Sequence, residues 1–391
     1  MKMRVLVVID SLAVGGAEQS LLTLTPHLME RGVDLHVAHL AESKGIGPAL
    51  EEGGATLHSL AGRGGRFRAL QRTRRLVTHL EPDLLHTTLF ESDLIGRTAG
   101  WLGRVPVVSS FVTEAYGPEH VRNPEYRAWK VRGAQLADAV TARCVRRFHA
   151  VSASSAEVMA RRLLVSPAKI DVVPRGRDPL TLGTPSQQRR DRVRASLGLA
   201  DAVPLVVAVG RHYNLKGLDI LMQAFPQVTN TLPSAQLLIA GRAGPATADL
   251  QRLVATGGID DAVTMAGFRS DVPDLICAAD VFVLPSRAEG SPGALLEAMA
   301  LGAPTVATDI PAVREVAGSG QDTICIVPLD DPDAMASAVV RLLTHPGDAK
   351  ELAAAAQRRF TAGYTVDTIA DRMVALYETC LSSTPVSAPL G

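Results

Sequence analysis

Two glutamates, Glu289 and Glu297, stand eight positions apart on either side of Ser291-Pro292. Ser291 can cap a helix whose first position is Pro292 and which runs to Leu301 before Gly302 and Pro304 stop it. The apolar run Val281–Leu284 reads as a buried strand just upstream, so this helix would open at a strand's carboxyl end, a ready anion site. Glu289 would lie in the loop before that opening, and Glu297 about a turn and a half beyond it. One carboxylate can then face hydroxyls beside a bound diphosphate, and the other can chelate a diol. A second group, Arg211 and Lys216 in the segment 209–217, brackets another loop that opens a helix. Both cations can converge on a diphosphate. A third, Gly15 and Gly16, follows the first strand and leaves backbone N–H groups open to a phosphate or sugar oxygen. It lacks the third glycine of a dinucleotide fingerprint.

These residues need strands to carry them. In the first half, Arg4–Ile9, Asp34–His39, Thr56–Leu60, Leu84–His86, Val107–Ser110, His149–Ser152 and Ile170–Val173 read as strands separated by amphipathic helical stretches. Gly16–Arg31, with Leu21, Leu22, Leu24 and Leu28 on one face, is a typical crossover helix. After a Pro- and Gly-rich stretch a second series begins: Leu205–Val209, Gln236–Ala240, Ala262–Met265, Val281–Leu284, Thr305–Ala307 and Thr323–Val327. Repetition of strand, helix, parallel strand predicts two doubly wound α/β sheets, joined by a linker near 174–190. The expected domains are 1–175 and 176–364, with a helix over 365–381 packing back on the first and a disordered tail at 382–391. Ligands in open α/β sheets bind outside the strands' carboxyl ends, so two such domains are expected to face each other across a binding cleft.

Of the 391 residues 47% are hydrophobic and 20% charged, a globular composition. Charged residues interrupt every candidate membrane span, and the apolar run Val5–Ile9 is too short for a leader peptide. Cys144, Cys277, Cys325 and Cys380 form no CxxC pair, which suggests neither zinc nor a disulfide framework and points to reducing cytoplasm. Asp331-Pro-Asp333 is a DxD string, but it stands at a helix start where carboxylates complement the dipole, so no metal is assigned. Net charge is zero but uneven. Residues 1–180 hold 24 Lys+Arg against 18 Asp+Glu, a balance of +6, and 181–391 hold 16 against 22, a balance of −6. Much of the excess lies at Arg63–Arg75 and Arg122–Arg147, readable as a solvated face or as a surface for anionic lipid or an anionic acceptor. With aromatics at 4% and none interleaved for stacking, nucleic acid is not expected.

Taken in order, these motifs resemble the retaining glycosyltransferases of family 4, whose fold is GT-B. Glu289 and Glu297 match the E-x7-E signature, Arg211 and Lys216 the phosphate-binding pair, and Gly15 and Gly16 the glycine loop. The resemblance implies that Glu289 touches the donor sugar and Glu297 its ribose. It also implies that residues Gly290, Ser291, Pro292 and Gly293 meet the sugar or diphosphate, and that Gly267-Phe268-Arg269 holds the base. Many relatives carry a histidine where Val112 stands here, and Thr88 replaces the second histidine of a His-Thr-His segment. His86 is retained and either lines the cleft or packs at a strand end. Glu114, with Glu91 and Asp93, is an acceptor-side candidate acid or base.

The reaction implied is metal-free transfer of a sugar from a nucleotide-diphosphate donor to a hydroxyl of a glycan, lipid-linked sugar or small molecule, in polysaccharide or glycolipid synthesis. Peripheral contact with anionic membrane, at its inner face, is a further expectation. Two other readings stand beside it: an epimerase or phosphorylase on a similar scaffold, and a non-catalytic sugar-nucleotide-binding partner subunit.

Overall fold

The computed structural model describes the chain except residues 1, 14, 43, 44, 118–126, 319, 321 and 383–391. Arg122 of the second basic group, and all but Ser382 of the expected tail, lie outside the described residues. The chain divides into two compact units, one of Met1–Gly176 with Val366–Gly391, the other Arg177–Thr365.

The first unit holds a seven-stranded parallel sheet of β1 (Met3–Ile9), β2 (Val33–His39), β3 (Thr56–Ser59), β4 (Leu84–Thr88), β5 (Val107–Phe111), β6 (Arg147–Ala150) and β7 (Ile170–Val172), in the order β3-β2-β1-β4-β5-β6-β7. Strand β1, beside the centre of the sheet, is a continuous apolar run from Val5 to Ile9 because helices cover both faces. Val5, Leu6, Val7, Val8 and Ile9 are each at most 3% exposed. One face packs on helix Gly16–Glu30 and the C-terminal helix Val366–Ser382 through Leu28, Met373 and Leu376. The other face carries helices Gly65–Leu80, Phe90–Gly103, Ala128–Thr141 and Ala153–Leu163 side by side. His27 and Arg31 pair with Asp367, and Arg31 also with Asp371, pinning the C-terminal helix to the first.

The second unit repeats the pattern with β8 (Leu205–Val209), β9 (Gln236–Ala240), β10 (Val263–Gly267), β11 (Val281–Leu284), β12 (Thr305–Thr308) and β13 (Cys325–Val327), ordered β10-β9-β8-β11-β12-β13. In both sheets the winding reverses beside the first strand, between β1 and β4 and between β8 and β11.

Two expectations need correction. The stretch expected as a linker folds into helices Pro179–Leu182 and Gln187–Ser196, the second anchored by Arg190 and Arg194 on Asp280 and on the Ala278 carbonyl. The helix after β11 starts one residue later than the Ser-Pro step suggests, with Pro292 at the N-cap and the helix spanning Gly293–Ala300. Ser291 makes no capping bond there.

Candidate functional site

In the second unit the reversal between β8 and β11 is where a doubly wound sheet opens its crevice. The loops leaving these two strands carry Arg211 and Lys216 on one side and Glu289 on the other. They meet closely. Gly217, at φ +60°, packs its Cα against the Pro285 carbonyl, where a Cβ would overlap the oxygen. That approach delivers Lys216 Nζ to 2.6 Å from Glu289 Oε1, an oxygen that also accepts from Ser286 Oγ at 2.7 Å. The Glu289 side chain is 12% exposed and the Lys216 side chain 29%, so the pair sits at the crevice wall and is not sealed from solvent.

Arg287, which the sequence did not single out, ties the two loops together. Its backbone N–H donates to the Leu215 carbonyl at 2.9 Å and its Nη1 to the Asn214 carbonyl at 2.7 Å. The guanidinium also grips Asp219 through two bonds of 2.8 and 2.7 Å and Asp330 through one of 2.7 Å. Asp330 holds a left-handed φ of +55° to reach it. Arg211 is exposed, with its guanidinium 5.1 Å from the centre of the Tyr213 ring. Among the described residues no carboxylate pairs with it.

The helix Gly293–Ala300 opens four positions after Glu289, and no side chain caps its first N–H groups. Glu297, on its second turn, accepts from Arg177 Nε at 2.7 Å. That guanidinium lies against Gly293, where any Cβ would collide with it. Arg177 is a second residue missed by the sequence reading. Beyond β10, Arg269 is locked to Asp271 by bonds of 2.7 and 2.5 Å, while Phe268 is 63% exposed and stacks under Arg242 at 4.6 Å. An exposed ring backed by a cation can present a flat face to a base. Arg242 is the third omission, and its place just after β9 was the available signal. Gly290, Ser291 and Pro292 form the turn between Glu289 and the helix, with Ser291 and Pro292 buried. Asp331 accepts from Ala334 N at 2.9 Å and so caps its own helix.

The first unit carries the remaining candidates. Gly15 is the N-cap of helix Gly16–Glu30, and Glu18, 7% exposed, folds its carboxylate back over it. The helix dipole thus already faces a negative group, its own. Gly16 lies against the Arg175 guanidinium. His86 is 6% exposed, with Nδ1 2.7 Å from the Tyr377 hydroxyl and Nε2 2.7 Å from Ser110 Oγ. Ser110 Oγ in turn lies 2.8 Å from His149 Nδ1, and His149 Nε2 lies 2.8 Å from the Val173 carbonyl. Burial pushes His86 down to about 3 and His149 down to about 4, so both imidazoles are neutral. This chain borders a cavity of about 70 Å³ that Val112 also lines. Glu114 accepts from Ser154 Oγ at 3.2 Å, and Glu91 is held by Arg66 through bonds of 2.6 and 2.5 Å. Asp93, expected as an acceptor-side acid or base, is instead 6% exposed and bonded to Thr87, Ser109 and Arg97. Burial pushes its carboxyl up to about 6.

Residues 203–345 match the family model described as glycosyl transferases group 1, and residues 14–179 match that of glycosyltransferase family 4. An alpha-D-kanosaminyltransferase from Streptomyces kanamyceticus is 34% identical over 49% of this chain and 50% of its own. A lipopolysaccharide core biosynthesis mannosyltransferase from Rhizobium meliloti is 33% identical over 49% of this chain and 56% of its own. The chain therefore spans about half the length of these curated relatives. The crystal structure of Anabaena HepE in complex with UDP superposes with a TM-score of 0.83 at 21% identity, over 96% of this chain and all of that one. Paired parallel sheets throughout, and a family match in each half, give one conclusion: the chain belongs to the group 1 glycosyltransferases of family 4, enzymes of the GT-B fold.

Proposed function

We propose that the protein transfers a glycosyl unit from a nucleotide-diphosphate sugar to a hydroxyl acceptor with retention of anomeric configuration. The observation that carries this reading is the 2.6 Å contact of Lys216 with Glu289 at the mouth of β8 and β11, in front of a helix N-terminus. Such a site offers positive charge for a diphosphate leaving group and, beside it, a carboxylate for the sugar. Arg211, Lys216 and the helix N-terminus stabilise the departing diphosphate as the C1–O bond breaks. The acceptor oxygen forms its bond on the same face, and its proton goes to the leaving phosphate oxygen. No metal is required in this scheme. Glu297, oriented by Arg177, holds the ribose, and Phe268 faces the base. Glu114 and His86 remain the acceptor-side candidates. The acceptor is a glycan, lipid-linked sugar or small molecule in the cytoplasm, and the +6 balance of the first half favours one carrying negative charge.

Steady-state kinetics in the presence of a chelator test the reading. Glu289→Gln should lower kcat by about 10- to 1000-fold, on the order of 1.4–4 kcal/mol, because it acts at the reacting carbon. Glu297→Gln should chiefly raise the donor KM, since a ribose contact is equal in ground and transition states. Wild-type kcat in Glu289→Gln, or turnover that vanishes in chelator and returns with manganese, would refute it.

A further inference from the structure

The four helices on one face of the first sheet end in an unusual outer surface. Among the described residues, the first unit exposes nine large apolar side chains, and seven of them lie on this layer. Trp129 is 65% exposed, Leu136 67% and Val140 54% on helix Ala128–Thr141, Trp101 62% at the end of helix Phe90–Gly103, and Phe67 70% on helix Gly65–Leu80. On Ala128–Thr141 and the turn after it the outward stripe is Trp129, Arg132, Leu136, Val140 and Arg143, at helical spacing. The opposite face is spoken for: Asp138 is 5% exposed and paired with Arg97. This apolar stripe is therefore not a core face waiting for its own unit.

The charges around it are mostly cationic: among the described residues, the acids these four helices expose are Glu91, held by Arg66, and Glu157, 3.4 Å from Arg161. Asp138 is the only acid of Ala128–Thr141 and is buried, so the exposed charges along the stripe are Lys130, Arg132 and Arg143. The neighbouring segment 62–80 holds six arginines and no acid. Not every basic residue points out, since Arg146 and Arg147 turn inward to the Cys380 carbonyl and Asp171. A second copy of the chain placed on the same surface would oppose cation to cation. Cations beside indole rings on two adjacent helices match instead an anionic bilayer, where phosphates meet the arginines and amphipathic rings settle at the headgroup level.

We propose that this helix layer is a membrane-docking face that seats Trp129, Leu136, Val140 and Trp101 in the interface of an anionic bilayer. It stands independently of the transfer reading. The chain has only two tryptophans, Trp101 and Trp129, both on this face, so intrinsic fluorescence reports on it without labels. With vesicles of phosphatidylcholine and phosphatidylglycerol carrying brominated acyl chains, the emission should shift blue and be quenched. Phosphatidylcholine alone should do neither, and high salt should reduce the effect. Arg132→Gln and Arg143→Gln should each weaken partition about fivefold. Leu136→Ser should weaken it too, while keeping the wild-type cooperative urea unfolding, which verifies that the variant is folded. Glu289→Gln should bind vesicles as wild type does, which separates this proposal from the catalytic one. Equal response to neutral vesicles, no quenching, or a blue shift that grows with protein concentration in the absence of lipid would overturn it.

Discussion

Replacing Arg287 by methionine keeps most of the aliphatic stem and removes four hydrogen bonds, to Asn214, Asp219 (two) and Asp330. It also leaves two carboxylates without their shared cation. The stability cost is modest. The Arg287, Asp219 and Asp330 side chains are 27%, 31% and 54% exposed, so solvent screens each pair and the total is about 1–2 kcal/mol. Function should suffer more. The guanidinium holds the turn Asn214–Lys216 against the Glu289 loop, and a displacement on the order of 1 Å at Lys216 costs roughly 100-fold in rate. On the role proposed for Lys216 at the leaving group, the loss should fall on kcat more than on donor KM. Arg287→Lys can reach one acid but cannot fork between two, so it should recover part of the rate. Urea unfolding and steady-state kinetics on both variants separate the effects. An Arg287→Met protein that loses stability yet keeps wild-type kcat would reduce Arg287 to a surface brace and refute this assignment.

Gly217→Ala should cost about 1–2 kcal/mol for the left-handed backbone alone and more for the overlap with the Pro285 carbonyl. A lower urea midpoint is expected, and a wild-type midpoint would contradict it. The two buried histidines make the first unit sensitive to acid. With folded values of about 3 and 4, His86 and His149 stay neutral while the unfolded chain takes up protons below about 6.5, so their contribution is fully present above that pH and is lost as pH falls. Asp93, raised to about 6, acts oppositely, with its contribution present below the unfolded value of 3.8 and lost as pH rises through about 6. NMR isolates the histidine part: neither imidazole should titrate between about pH 7 and pH 5, and a midpoint near 6.5 for either would show that it is not buried as described.

What the sequence revealed and what it hid divide along the range of the interactions. β8, β9 and β11 match the segments read from the sequence because uninterrupted apolar runs, buried on both faces, leave no other reading. Glu289 and Glu297 were legible for the same local reason, since a strand end and the next helix place both. The helix Gln187–Ser196 was hidden because it has no apolar stripe. Its buried residues are Val193 and Arg194, whose two Nη atoms donate to the carbonyls of Ala200, Asp201 and Ala278. A sequence window sees there only a polar stretch. Arg287, Arg177 and the partners of His86 were hidden by distance. Asp219 lies 68 positions from Arg287, Glu297 lies 120 from Arg177, and Tyr377 lies 291 from His86. Nothing local to Arg287 distinguishes it from a solvated arginine. Which distant group neutralises each charge follows from strand order, and strand order depends on the packing of the whole unit, which no window of sequence contains.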